Sequence, residues 1–481
     1  MNKDIKIRLL GTFRLLVAAI LLCSAVAAYS QMVLSPEQAV DHAIKNNLML
    51  ETARIGTDIQ RRSASHAWNQ FLPSAMVSGT MARSNWANSV SGAAPVPIPG
   101  MDPLHGVVPF SMDMPRWNVI GMFTATLDFS FALIESVRTA ELEYRSGLLT
   151  FEKARLQIEQ AVRKMYNQIL LLEANAALLD DSFNNAIRQA EIAQANFNAG
   201  LAPRLVMLQA QVAVENMRPA INDLANNLQN LKGNFALILG LPHDIDFELE
   251  PVLHETTFDT SFFPPDLADF ITAFGTSGKP DIAELQAQIN TLQSQRKALR
   301  LGHFTPFIRL GWDIGSMFDP VLDPFDNNWF TRDHWTTGQV GGSLSFTVGM
   351  SLNGLLGFTR EGQMRRDIDA GLQIQHIQLA QMIRETELEI FNKINALETT
   401  RTSAEIQQAA VELAQLSYDL TEEAYRAGLQ DFQSVQNAAL ALEQARLQLL
   451  TLYFNFLNDI IDLEYALGVP FGTLINKEAA Q

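Results

Sequence analysis

The residue types that carry catalysis, metal binding or disulfides are scarce in this sequence. Cys23 is its only cysteine, so no disulfide can form within the chain. The eight histidines are scattered, with no two at metal-ligand spacing, which argues against a zinc site. No Gly-x-Ser-x-Gly motif marks a catalytic serine. We therefore predict a protein that is not an enzyme and that holds no metal and no cofactor.

Basic charge and long apolar runs are also missing. Lys and Arg total 35 against 52 Asp and Glu, which gives a formal net charge of −17. An acidic exported chain is a poor candidate for nucleic-acid binding. After residue 28 no apolar run reaches the length of about 18 residues that a membrane-spanning helix needs. If this chain enters a bilayer, it must do so with strands.

The N-terminus has the features of an export signal. Four basic side chains precede an apolar run from Leu15 to Ala28, and small residues stand where a signal peptidase needs them. This pattern predicts a secretory signal peptide over residues 1–30. Leu22 precedes Cys23 and is not the small residue that a lipoprotein signal requires, so lipidation of Cys23 stays an open alternative.

Two long helical hairpins dominate the rest of the chain. From Ile158 to Phe197 apolar residues recur in alternating steps of three and four, which is the spacing of a coiled coil. Gly200 can adopt the positive φ that ends such a helix, and Pro203 suits the first turn of a returning helix. The same turn recurs at Gly428. A self-contained coiled-coil bundle would show the same spacing and is the alternative.

The hairpins belong to a duplicated unit of about 230 residues. Ala-Gly-Leu marks both tips, at 199–201 and 427–429, and Leu-Gly-x-Pro marks both ends, at 239–242 and 467–470. Pro219 has no proline counterpart, since the equivalent residue is Leu447, and it is expected to kink its helix. The predicted division is a first repeat over 31–240, a linker packed as a belt over 241–279, a second repeat over 280–470 and a tail over 471–481.

A strand pair is predicted within each repeat, at about 74–131 and 306–352. Residues alternate between an apolar and a small or polar face, and the loops 85–115 and 316–337 connect the strands of each pair. The apolar face should meet lipid through Phe123, Leu127, Phe129, Leu344, Phe346 and Val348. The opposite face should line a lumen through Thr124, Thr126, Asp128, Arg309, Asp313, Ser343 and Ser345. A soluble antiparallel sheet alternates in the same way and is the alternative.

Four strands cannot close a membrane barrel, and an open sheet edge cannot exist in lipid because its backbone groups would stay unpaired. Several chains must therefore share one barrel. A trimer with twelve strands is the expected assembly, since eight strands leave an interior filled by side chains. The predicted fold class is mainly α with a small β part.

The order of short helix, strand pair, long helix, glycine tip and return helix, present twice after a signal peptide, resembles the outer membrane efflux protein family, the TolC-like channels. The resemblance covers essentially the whole mature chain and includes Lys279-Pro280-Asp281 at the start of the second repeat. It implies a homotrimer in the outer membrane of a Gram-negative bacterium, with a β-barrel continued by a periplasmic α-helical barrel. It also implies an exit channel of a tripartite efflux or type I secretion system, which passively conducts what an inner-membrane pump delivers.

The resemblance also suggests sites at the tips. Gly200, Leu201, Gly428 and Leu429 are the candidates for docking a periplasmic adaptor protein. Tyr425, Asp431, Ser434 and Asn437 are the candidates for the pore constriction. Family channels concentrate acidic residues where Ser434 and Asn437 fall, so the usual acidic constriction is in doubt and Asp431 is the nearest acid. A non-conducting periplasmic coiled-coil scaffold is the alternative function, and neither the substrate nor the pump class can be inferred.

Overall fold

The computed structural model describes residues 32–83, 89–97, 105–113, 117–242, 247–250, 278–318, 341–351, 356 and 358–474. It divides into two compact units. Unit 1 comprises Met1–Thr57, Leu148–Leu285 and Gln378–Gln481, and unit 2 comprises Asp58–Gly147 and Gln286–Ile377. The predicted signal peptide, Cys23, most of the linker and most of the 316–337 loop lie outside the described residues.

Helices make up most of the described chain, as the sequence predicts. In chain order they are α1 (Pro36–Asn46), α2 (Leu48–His66), α3 (Phe131–Asn198), α4 (Arg204–Leu239), α5 (Pro280–Phe304), α6 (Arg360–Arg426) and α7 (Phe432–Leu467). In this part of the chain no helix is both long and apolar enough to cross a membrane.

The two hairpin turns form where glycine is predicted to end a helix. Gly200 has φ 73° and Gly428 has φ 74°, a backbone region that glycine enters without steric cost. Pro203 is the residue that precedes α4 rather than part of its first turn, which corrects the sequence expectation by one position. Gly240 and Gly468 end α4 and α7 with positive φ as well.

The strands of unit 2 form one antiparallel sheet of four. The strands β2 (Ser74–Arg83), β5 (Trp117–Phe129), β7 (Phe307–Phe318) and β8 (Gly341–Gly349) lie in that order, so that β5 pairs with β2 and β7. These are the two predicted strand pairs, joined to each other through β5 and β7. Phe131 was expected in the strand but begins α3 instead.

Two segments expected to lack regular structure contain strands. The predicted loop 85–115 holds a hairpin of β3 (Ser89–Pro97) and β4 (His105–Asp113). Its prolines favour a loop, but each strand of a two-stranded sheet has a free edge, where a missing N–H is tolerated. The predicted linker contributes β6 (Phe247–Leu249), which pairs in parallel with β1 (Met32–Leu34). Helix α2 ends at His66 and continues as a short 3₁₀ turn, Ala67–Phe71.

Tyr166 on α3 fixes the β1–β6 pair to the core of unit 1. Its side chain is 1% exposed, and its hydroxyl lies 3.0 Å from the carbonyl oxygen of Leu34 and 2.6 Å from that of Glu250. Phe235 of α4 and Phe247 pack beside it in the same buried cluster. One side chain thus ties together segments that are far apart in the sequence.

Glu464 holds the turn that follows α7. Its side chain is fully buried, and its two carboxylate oxygens accept the backbone N–H groups of Gly472 at 2.9 Å and Leu474 at 2.8 Å. Burial raises the pKa of Glu464 above its usual range, and these two hydrogen bonds oppose that shift. The last described turn of the chain therefore depends on a buried carboxylate.

Candidate functional site

The pairing register of the sheet places its large apolar residues on one face. Phe123 lies opposite Ile314, Leu127 opposite Leu310, and Phe129 opposite Ile308. Strand β8 pairs with the other side of β7, where Leu310 lies opposite Phe346 and Ile308 lies opposite Val348. Phe346 and Val348 are predicted lipid-facing residues, so the apolar face extends onto β8. Directly paired residues point to the same face of a sheet, so the apolar side chains form one continuous surface.

This apolar surface has little cover from the rest of the described chain. Leu344, Phe346 and Val348 are 74%, 68% and 58% exposed, and Val77 of β2 is 78% exposed. Trp312 is half exposed, and its ring packs edge-on against Phe123 at a centroid distance of 5.6 Å. A continuous exposed surface of large apolar side chains is typical of a face that contacts lipid or another protein.

The opposite face carries the polar residues, which hydrogen-bond to one another across the strands. Arg309 pairs with Asp128, with 2.5 Å between Nε and Oδ1, and the Ser343 hydroxyl donates to the Asp313 carboxylate at 2.6 Å. Thr124 lies opposite Asp313 in the register. The remaining predicted lumen residues, Thr126 and Ser345, lie on this face through their pairing with Gly311.

The sheet is open at both sides. Strands β2 and β8 each pair along one side only in the described part of the chain. Both outer sides therefore present backbone N–H and C=O groups that have no strand partner among the described residues. Lipid cannot satisfy such groups, so the sheet is complete only when another strand adds to each edge.

The two helix tips of unit 1 present exposed leucines. Leu201 is 78% exposed and Leu429 is 79% exposed. A side chain at either glycine would meet no heavy atom within 4 Å, so Gly200 and Gly428 are required for the backbone turn and not for close packing. The turn holds each leucine at the outermost end of its hairpin, as the sequence predicts.

Phe432 joins the two hairpins just behind their tips. It is 4% exposed and packs in a buried cluster with Ala193 of α3 and Ala210 of α4. The ring of Tyr425, one of the pore candidates, lies 6.0 Å from that of Phe432. The sequence alone did not reveal this contact, because Ala193 and Ala210 belong to the other hairpin.

Asp431 acts as the N-terminal cap of α7. Its carboxylate accepts the backbone N–H of Ser434 at 2.8 Å and the Ser434 hydroxyl at 2.6 Å. These hydrogen bonds lower the pKa of Asp431. Asp immediately before the first apolar residue of a helix is a known capping signal, and it could have revealed this contact from the sequence. Asn437, the last pore candidate, accepts a hydrogen bond from Gln433 on its own helix.

The described residues contain no group of three or more His, Cys, Asp and Glu side chains arranged to hold a metal ion. The candidate functional features are two surfaces. Unit 2 presents an open sheet with one apolar and one polar face, and unit 1 presents two hairpins that end in exposed leucines.

The sequence is similar to those of known outer membrane export proteins. The model of the outer membrane efflux protein family matches residues 39–241. The pyoverdine export outer membrane protein OpmQ of Pseudomonas aeruginosa is 23% identical over 356 residues, which cover 69% of this chain and 69% of that protein. OpmQ of Pseudomonas putida is 21% identical and covers 72% of this chain and 70% of its own length.

Solved structures share the fold at low sequence identity. The outer membrane protein VceC of Vibrio cholerae has a TM-score of 0.69 at 16% identity, over 91% of this chain and 96% of VceC. The CmeC outer membrane channel of Campylobacter jejuni has a TM-score of 0.70 at 16% identity, over 90% of this chain and 85% of CmeC. The fold is therefore that of the TolC-like channels, with the helical hairpins and four-stranded sheet in the predicted order, and residues 39–241 match the outer membrane efflux protein family.

Proposed function

We propose that this protein is the outer-membrane exit channel of a tripartite efflux or type I secretion system. It passively conducts substrates that an inner-membrane pump and a periplasmic adaptor deliver. The observation that carries the proposal is the sheet of unit 2, which has one continuous apolar face, one polar face and two open edges. An outer-membrane strand needs an apolar lipid face and a polar lumen face.

The open edges support a homotrimer. Because each chain supplies four strands with two unpaired sides, three chains supply the twelve strands of a barrel wide enough to enclose a channel. The long helix α6 adds a second reason. Its stripe of Ile406, Leu413, Leu416 and Leu420 is exposed in the single chain, while Ala414 and Tyr418 on another face are half buried. An exposed apolar stripe of this kind would be buried if a helix of a neighbouring subunit packed against it.

The leucine tips are proposed to dock the adaptor. Leu201 and Leu429 are the most exposed apolar groups of the two turns, and Phe432 keeps the two tips beside each other. The names of the two curated relatives make pyoverdine-type siderophores the first substrates to test.

Electrical recording of the purified full-length protein tests the channel. In planar bilayers we expect discrete current steps from a species that runs as a trimer in unheated gels and as a monomer after heating. A periplasmic scaffold would give no current and would fractionate away from the outer membrane.

Cysteine cross-linking tests the shared barrel directly. Because Cys23 is the only native cysteine and lies in the predicted signal peptide, the background is low. One cysteine fixed in β8 and another moved residue by residue along β2 should cross-link different chains into trimers at matching registers. Cross-links that form only within one chain, or only dimers, would contradict the proposal.

A further inference from the structure

Unit 1 contains a cavity of about 490 Å³ between helices α3, α4 and α7, with Tyr418 of α6 at its wall. That volume lies in the range of sites that hold small organic molecules. The cavity opens to solvent where Asp181, Asn216 and Leu440 are exposed. Phe432, which packs behind the tips, also lines the cavity, but the sheet, the tip leucines and the pore candidates do not. The proposed channel function therefore gives the cavity no role.

Small side chains on the facing helices create this space. Ala186 of α3, Ala213 and Ala220 of α4, and Ala439 of α7 all line it. Larger residues at these positions would fill the centre of the bundle, as Phe432 does behind the tips. The wall that remains is more apolar than polar, although Asn185, Gln189 and Gln436 also line it, and a partly open cavity of this volume is suited to the hydrocarbon part of a ligand.

Two carboxylates line the cavity, the exposed Asp181 and the half-buried Glu443, and neither has a partner among the described residues. Glu443 lies on α7, and its natural partner would be Arg446, one turn later on the same helix. Arg446 instead donates to the side-chain oxygen of Gln415 on α6, at 2.5 Å. Arg446 also lines the cavity, so its wall carries two carboxylates and one guanidinium, and this excess of negative charge favours a bound cation.

In the first repeat, the equivalent glutamate and arginine do form an ion pair with each other. Glu215 and Arg218 are the equivalents of Glu443 and Arg446, and they form an ion pair with 3.0 Å between Arg218 Nε and the Glu215 carboxylate. The Arg218 guanidinium also lies 5.6 Å from the ring of Phe183. The residue equivalent to Phe183 is Val411, which offers no aromatic face for an arginine.

We propose that this cavity binds a small organic cation with one positive charge and an apolar body. The positive group lies against Glu443, and the apolar body lies among the alanine and leucine side chains of α3, α4 and α7. Tyr418 supplies an aromatic face that also attracts cations.

Two ions of the same shape and opposite charge separate this proposal from general apolar binding. Tetraphenylphosphonium and tetraphenylborate can each be titrated calorimetrically into the full-length protein, with equal detergent in cell and syringe. We expect saturable binding of one phosphonium ion per chain and no saturable binding of the borate. Equal binding of both ions, or no saturable phosphonium binding, would overturn the proposal.

Matched variants locate the site. Glu443→Gln should weaken phosphonium binding by up to about fivefold, whereas Glu215→Gln, at the equivalent position of the other repeat, should leave it unchanged. Ala439→Phe should abolish binding by filling the space, whereas Ala441→Phe, on the exposed side of α7, should not. The nearly isosteric Glu443→Gln keeps the test valid if Ala439→Phe does not fold. Unchanged affinity in Glu443→Gln would show that the cavity is not the binding site.

Discussion

Replacing Phe346 with arginine should remove the protein from the outer membrane. Phe346 lies near the middle of β8, opposite Leu310, and is 68% exposed on the apolar face. An arginine in the middle of a lipid-facing strand costs about 2–4 kcal/mol. Three chains in the proposed barrel would carry three such charges, so the trimer should lose roughly 6–12 kcal/mol, which is comparable to the total stability of many folded domains.

The neighbouring Ser345 provides the control. Its side chain lies on the polar face opposite Gly311, and the absent side chain of Gly311 leaves room beside it. An arginine at Ser345 would share that face with Asp313 and the Arg309–Asp128 pair. We expect Ser345→Arg to give normal trimer levels.

Quantitative immunoblots of unheated and heated outer-membrane fractions measure this prediction. Phe346→Arg should deplete the trimer band strongly, and Ser345→Arg should leave it intact. Equal trimer levels in the two variants would show that the apolar face does not meet lipid, and the barrel would have to be abandoned.

Three further predictions concern the helical part of the molecule. Changing both Leu201 and Leu429 to Asp should leave a folded trimer that no longer cross-links to its adaptor or supports export, and unchanged export would place the docking surface elsewhere. Asp431→Asn should keep the start of α7, because Asn is an equally good cap, and should not change the weak block by multivalent cations that we expect in single-channel recordings of the parent. Strong block of the parent that vanishes in the variant would show that Asp431 guards the pore. Because burial raises the pKa of Glu464, its ionisable side chain stabilises the fold most below about pH 4.5, and that contribution is lost as the pH rises through the raised pKa. The melting temperature of the parent should therefore rise relative to that of Glu464→Gln between pH 7 and pH 5, and a constant difference would contradict this reasoning.

Local backbone chemistry made the hairpins predictable from the sequence. Glycine at a helix end and a spacing of threes and fours act within a few residues, so both tips and both Leu-Gly-x-Pro ends lie where the sequence places them. The two faces of the sheet were also predictable, since a strand alternates with period two whatever its partner.

Contacts between distant segments were not predictable. Strands β1 and β6 are three residues each, too short for a period to emerge, and they are fixed by Tyr166 from a third segment. The prolines of β3 and β4 favoured a loop, because the sequence does not reveal which sides of a strand stay unpaired. The unpaired Glu443 was hidden for a similar reason, since an arginine one turn away predicts an ion pair unless Gln415 on another helix is known to take it.

The two open edges of the sheet have a genetic consequence. Because the described strands leave both edges of the sheet open, each chain depends on its neighbours in the proposed trimer, and a defective copy also harms normal ones. If equal amounts of parent and a variant with a damaged edge strand mix at random in the proposed trimer, only about one assembly in eight is free of the variant. Edge-strand variants should then be dominant over the parent. Variants at the proposed adaptor-docking tips should assemble normally, so export should fall in proportion to the fraction of variant chains.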